Sequence, residues 1–225
     1  MIQDFKRGLL YLSTITIGLL CSATAFFGQT TGLSAEWIVS IVVWSMFIQI
    51  YRTTDKKEKI EMLTVLAFAT PMELFFSEVW LIYEYQRGFM PLFVPAGHYF
   101  LFDLGRICVR HLKKKVSIIA LLPLIPFIFY GFIDGSDTSA ALLLIFVLAF
   151  IKYGRESELY IVMVWLALFM ELWGTYLTNW TWSSQVPWTG LSAWNPPLLV
   201  GAFYCLGDVL VVWSVAKFQS NQHLR

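Results

Sequence analysis

Two glutamates in apolar surroundings, Glu73 in Pro71-Met72-Glu73-Leu74 and Glu171 in Phe169-Met170-Glu171-Leu172, are the residues of this 225-residue chain best placed to do chemistry. Each Met-Glu pair is followed about thirty residues later by a tyrosine four positions before an aspartate, Tyr99…Asp103 and Tyr204…Asp208. A carboxylic acid withdrawn from water favours its neutral form, which general-acid chemistry or proton coupling at neutral pH needs. A phenol one helical turn from a carboxylate can fix its geometry or relay a proton. Glu73, Glu171, Asp103 and Asp208 are therefore the candidate catalytic acids. The alternative for each is a hydrogen bond that locks two helices together, at about 1 kcal/mol per contact.

The neighbours extend the candidate site. Pro71 removes a backbone donor and loosens the helix around Glu73. Glu78 falls on a different face of that helix. His98, in Pro95-Ala96-Gly97-His98, joins the acids, ligates a metal or caps its own helix, and Asn195-Pro196-Pro197 stands at the matching entry in the second half. Arg106 lies one turn from Asp103 and could pair with it, which would make that acid structural. Trp173, Trp180, Trp182, Trp188 and Trp194 crowd a charge-free stretch. They form either an interfacial belt or an aromatic lid over a greasy or cationic substrate. Tyr99, Tyr204, His98, Trp80, Trp173, Trp180 and Asn195 are the expected substrate contacts. Asn179-Trp180-Thr181 is formally a glycosylation sequon, set close to an apolar segment.

Several chemistries lack their motifs. There is no Walker loop, Rossmann glycine pattern, HExxH, GxSxG, aspartate-rich cluster or haem-ligand pair, so neither a cofactor nor a metal is expected. Cys21, Cys108 and Cys205 are isolated and read as small hydrophobes. A net charge of +1 gives no reason to expect nucleic acid as a partner.

The elements that must hold these residues are membrane spans. Hydrophobic residues make up 58% and charged residues 14% of the chain, with a mean hydropathy of +0.65. Eight apolar segments are read at Leu9–Phe27, Trp37–Tyr51, Ile60–Tyr83, Leu92–Val109, Val116–Ile133, Ala140–Ile151, Leu159–Leu177 and Pro197–Phe218. Most approach the ~20 residues that cross a bilayer. Basic residues recur in alternate connections: Lys6-Arg7, Arg52 to Lys59, Arg110 to Lys115, Lys152-Arg155 and Lys217 to Arg225. The other connections hold Arg87 alone. That one-sidedness places both termini in the cytoplasm of a bacterial inner membrane or a eukaryotic endomembrane. Lys6-Arg7, an apolar run and Ala23-Thr24-Ala25 also fit a cleavable signal, but the repeat described next requires this helix, so retention is expected.

The fold expected is an all-α, polytopic membrane bundle of about eight transmembrane helices, built as two parallel four-helix repeats. Residues 1–112 form the first half and 113–225 the second. Both glutamates are read as lying about twelve residues, roughly 18 Å, from the cytoplasmic entry, near mid-bilayer. A buried glutamate in an early helix, a buried aspartate in the last, and many aromatics in a small helical membrane protein resemble the integral-membrane terpene cyclases. That resemblance, of size and layout, implies Glu73 and Asp208 as the key acids. It sets eight spans here against seven in that family.

Three functions are open at this stage. The first is an acid–base enzyme, of cyclase or isomerase type, for a lipophilic isoprenoid-like small molecule. The second is a proton-coupled carrier, for which eight short helices leave space only in a homodimer. The third is a non-catalytic module binding lipid or a partner protein. In all three the lipid bilayer is the constant partner.

Overall fold

The computed structural model describes residues 2–23, 35–112 and 115–222. Thr24 and Ala25 of the potential cleavage site, Lys113, Lys114 and the last three residues lie outside these ranges. The described residues form eight α-helices: α1 (Ile2–Ser22), α2 (Ala35–Thr53), α3 (Lys56–Leu74), α4 (Val94–His111), α5 (Ile125–Ile133), α6 (Ala140–Tyr153), α7 (Ser157–Tyr176) and α8 (Val200–Gln222). The fold is all-α in its body, as expected from composition. Three helical stretches are long and apolar enough to cross a membrane on their own: Lys56–Val79, Ser157–Tyr176 and Val200–Phe218.

Prolines account for the irregular elements. Pro71 lies inside α3, and the chain leaves that helix through a π-helical turn, Phe75–Val79. Pro123 and Pro126 divide the expected fifth span into a 3₁₀ segment, Ile118–Leu124, followed by the short α5. Pro95 stands in the first turn of α4, where its missing donor costs nothing.

Helices α4 and α7 are the most enclosed. Helix α4 packs against α1, α3 and α7, and α8 packs against α3, α6 and α7. The outer faces remain apolar, with Ile38, Ile41, Phe127, Phe129, Phe146, Phe169 and Trp213 all exposed. A soluble surface rarely carries so many. Ion pairs gather the basic ends of three helices: Arg7 of α1 meets Glu58 of α3, Arg106 of α4 meets Glu61 of α3 at 2.6 Å, and Arg110 approaches Asp4 of α1 at 3.8 Å. At the opposite end Arg87 pairs with Glu36, 3.3 Å away.

Four short strands were not anticipated: β1 (Tyr83–Tyr85), β2 (Trp180–Trp182), β3 (Gln185–Val186) and β4 (Leu191–Ser192). β1 pairs antiparallel with β2, setting Tyr83 opposite Trp182, Glu84 opposite Thr181 and Tyr85 opposite Trp180. β3 and β4 form a hairpin. Both routes into the β1–β2 ribbon turn through a left-handed residue two positions ahead of the first aromatic, Leu81 (φ 56°) and Thr178 (φ 59°). In a strand alternate side chains share a face. Tyr83 and Tyr85, with Trp180 and Trp182, are accordingly buried, while Glu84 and Thr181 are exposed.

Candidate active site

The buried face of the ribbon meets the two glutamates. Glu73 Oε2 accepts hydrogen bonds from the phenols of Tyr83 and Tyr85, the latter at 2.6 Å. Its Oε1 lies 2.7 Å from His98 Nε2. Glu171 is held by a matching set: Oε2 accepts from the indoles of Trp180 (2.7 Å) and Trp182 (2.9 Å), and Oε1 from the Tyr204 phenol at 3.2 Å. Each glutamate thus has two aromatic donors from the strand after its own helix and a third partner from the helix that follows. The two sets touch. The His98 ring stacks on Tyr204 with centroids 5.3 Å apart and planes 24° from parallel, and Tyr83 packs against Trp182 at 4.8 Å.

Local sequence explains the positions. Glu73 is the next-to-last residue of α3, some 26 Å from its Lys56 end, and Glu171 lies about 21 Å along α7 at 1.5 Å per residue. Both thus stand in the half of their helix nearer the ribbon. Trp180 reaches Glu171 across Gly174, where any Cβ would overlap the indole's six-membered ring. Asn195 Oδ1 accepts from the Trp182 amide at 2.9 Å and fixes β2, so it positions the strand.

Two cavities flank this cluster. One, about 700 Å³ with the space at its open mouth included, is walled by apolar residues including Ile15, Leu19, Val39, Phe100 and Met170, with Glu73, His98, Glu171 and Tyr204 on its polar side. The other, about 620 Å³ on the same basis, lies among α3, α4, α7 and α8 and is lined by those same four residues together with Asp208.

Of the expected residues, Glu73, Glu171, His98, Tyr204 and Trp180 come together, and Asp208 faces the second cavity. Asp103 and Tyr99 do not join them. Asp103 Oδ2 lies 2.9 Å from Arg7 Nη2, at an angle that makes it an ion pair without an aligned hydrogen bond. Arg7 also donates to Tyr99 (2.8 Å) and Tyr11 (2.6 Å), while Tyr99 donates to Glu58 (2.6 Å). This network ties α1, α3 and α4 together below the site. Arg106, the partner expected for Asp103, is taken by Glu61. The helical register explains the miss: His98 and Tyr204 each stand four residues beyond the start of their helix, whereas Tyr99 is one further and faces α1. Trp173 donates to the Thr16 carbonyl (3.0 Å), and Trp80 to that of Pro187 (2.9 Å); neither lines either of these two cavities. Asn179 of the sequon is buried, bonded to Leu19 O and Ser22.

Tyr83, Tyr85 and Trp182 were missed as site residues. Their signal is the pair of triplets Tyr83-Glu84-Tyr85 and Trp180-Thr181-Trp182, which start at nearly equal distances after the two glutamates. Among the described residues no group of three His, Cys, Asp or Glu could hold a metal ion. No family model matches the chain, nor does any curated protein or solved structure.

Proposed function

We propose that the chain is a multi-pass membrane protein of two like-oriented four-helix halves with both termini cytoplasmic, and that its paired glutamates perform acid–base chemistry on a lipophilic, isoprenoid-like molecule in the larger cavity. The observation that carries this is the placing of two differently equipped acids, with touching sets of donors, on the wall of one apolar cavity. Glu73 holds His98 by one ring nitrogen and leaves the other to exchange a proton. Glu171, fixed by two indoles and a phenol, is the acceptor on the same wall.

On this reading His98 delivers a proton to a carbon–carbon double bond and Glu171 removes one from a neighbouring carbon. The double bond has then moved, or a ring has closed, with no net change in protons. The aromatic rings around the cavity favour the cationic intermediate, and the apolar wall keeps water from trapping it. Glu73 balances the charge on His98 until the proton leaves, and exchange with water after product release returns the proton from Glu171 and recharges His98. The matching donor sets, the antiparallel β1–β2 pairing and the equal helix positions of His98 and Tyr204 support duplication of the halves. The alternation of basic connections along the sequence supports the eight-span topology.

A proton-coupled carrier is the second reading, favoured by the presence of a cavity on each side of the same residues. Incubating the protein in nanodiscs with a panel of isoprenoid olefins in deuterated water separates the two. The enzyme puts solvent deuterium on carbon, and Glu171→Gln and His98→Ala abolish this while the olefin still binds. If no deuterium enters any product, and the protein in liposomes drives proton flux that Glu171→Gln stops, the carrier is right.

A further inference from the structure

The second cavity contains a group that the proposed chemistry does not use. Asp208 is 6% exposed, and its Oδ2 is fully buried with no hydrogen-bond partner among the described residues. It lines the cavity beside Phe68, Phe76, Phe102 and Phe203. The chain treats the comparable acid of its first half differently. Asp103 stands at nearly the same depth, in a helix that starts at 94 against one that starts at 200, and Arg7 supplies its counter-charge at 2.9 Å. Among the described residues Asp208 meets no such cation. The cavity lining contains no lysine or arginine, and His98 is engaged by Glu73. The groups around Asp208 are Glu73, Glu171, Tyr83 and Tyr204 on the cavity wall, with Tyr160, Cys205 and Glu156 nearby, and Glu156 adds to the negative field. Tyr160 too has a buried hydroxyl without a partner.

A buried carboxyl without a partner either keeps its proton or meets a cation, and the cation that this lining suits is one that arrives with its own apolar body. A bare metal ion would need several oxygen ligands converging on it, whereas here one free carboxylate faces phenyl rings. Phenyl rings around an anion are the surroundings that a quaternary or protonated amine prefers.

We propose that the cavity among α3, α4, α7 and α8 is a binding site for an organic cation with an apolar body, a protonated or quaternary amine whose nitrogen is held by Asp208 and whose carbon skeleton lies on Phe68, Phe76, Phe102 and Phe203. This goes beyond the acid–base reading and does not depend on it, because binding is measured without turnover.

The test uses the full chain in nanodiscs of uncharged lipid, with empty nanodiscs as the reference for partitioning. Binding of a long-chain alkyl dimethylamine and of its neutral carbon isostere is measured by calorimetry. The amine should bind at least about tenfold more tightly, the preference that a charge-assisted contact supplies. Asp208→Asn should bring the two ligands within about twofold of each other while leaving binding of the neutral one intact. A second measurement needs no variant: the amine, and not its isostere, should protect Asp208 of the wild-type protein from a hydrophobic carbodiimide, read by peptide mass spectrometry. Equal affinity for amine and isostere in the wild type, an amine preference that survives in Asp208→Asn, or equal protection by both ligands would each overturn the assignment.

Discussion

Substituting Gly174 by alanine tests the site through its tightest contact. The new Cβ would lie 2.8 Å from Trp180 Cε2 and closer still to Cζ2 and Cη2. The indole must retreat by more than about 1 Å to regain ordinary carbon–carbon separation. That movement takes Nε1 away from Glu171 Oε2, now at 2.7 Å, and stretches the bond beyond useful length. Losing a hydrogen bond to a carboxylate costs about 1.5–3 kcal/mol, and the crowding adds about 1–3. Alanine returns about 1 kcal/mol of helix propensity. The net expectation is a loss of about 1.5–5 kcal/mol, measured by reversible unfolding in mixed micelles, with a shift in tryptophan emission. Gly207→Ala is the internal control, because nothing lies within 4 Å of its Cβ direction; it should be neutral or slightly stabilising. In a Trp180→Phe background the alanine should cost less than about 1 kcal/mol, since the offending ring atoms are gone. A Gly174→Ala protein as stable as the wild type, with unchanged emission, would refute the placement of Trp180 against Glu171.

Arg7→Met should destabilise the bundle by about 3 kcal/mol in the same assay, the lower end for a broken buried ion pair, because the Arg7 side chain is 28% exposed. Adding Asp103→Asn and Glu58→Gln to Arg7→Met should recover part of that loss; no recovery would mean that Arg7 acts by packing alone. Asp137, in the loop between α5 and α6, is fully buried and accepts bonds from Ser139 Oγ, Ala140 N and Leu198 N, yet burial raises its pKa above the usual aspartate value. The fold therefore holds that proton more tightly than the unfolded chain does, so its contribution to stability is full below the ordinary aspartate range and declines as pH rises through and above it. Melting temperature followed from pH 4 to pH 6, about the window above that range, should show this decline in the wild type and not in Asp137→Asn.

Much of the body was legible in the sequence. Hydropathy found the helices, and the Met-Glu pairs pointed to the two acids that share the cavity walls. The fifth span was misread as one helix because periodicity gave no weight to Pro123 and Pro126, which divide it. The ribbon was invisible for a different reason. Three-residue strands are too short for an alternation pattern to rise above an aromatic-rich background, and Trp180 and Trp182 read equally well as an interfacial belt. Asp103 was assigned to the site because Tyr-x-x-x-Asp occurs twice, but a one-residue difference in register turns α4 so that Tyr99 and Asp103 face Arg7. Arg7 gave no warning, since a basic residue ahead of a first span is usually a topology signal alone.

The site exists only if β1 and β2 lie side by side, because that pairing brings both sets of aromatic donors to both glutamates. Glu84 and Thr181 face each other at its centre and point away from the cluster. Their Cα atoms, as antiparallel partners, stand about 4.5–5.5 Å apart, within the span of a disulfide. Glu84→Cys with Thr181→Cys, in a chain whose Cys21, Cys108 and Cys205 are replaced by alanine, should form an intramolecular disulfide under mild oxidation in native membranes. Failure of that pair to close, with Glu84→Cys instead closing onto a cysteine placed outside β2, would show that Glu73 and Glu171 do not share a site.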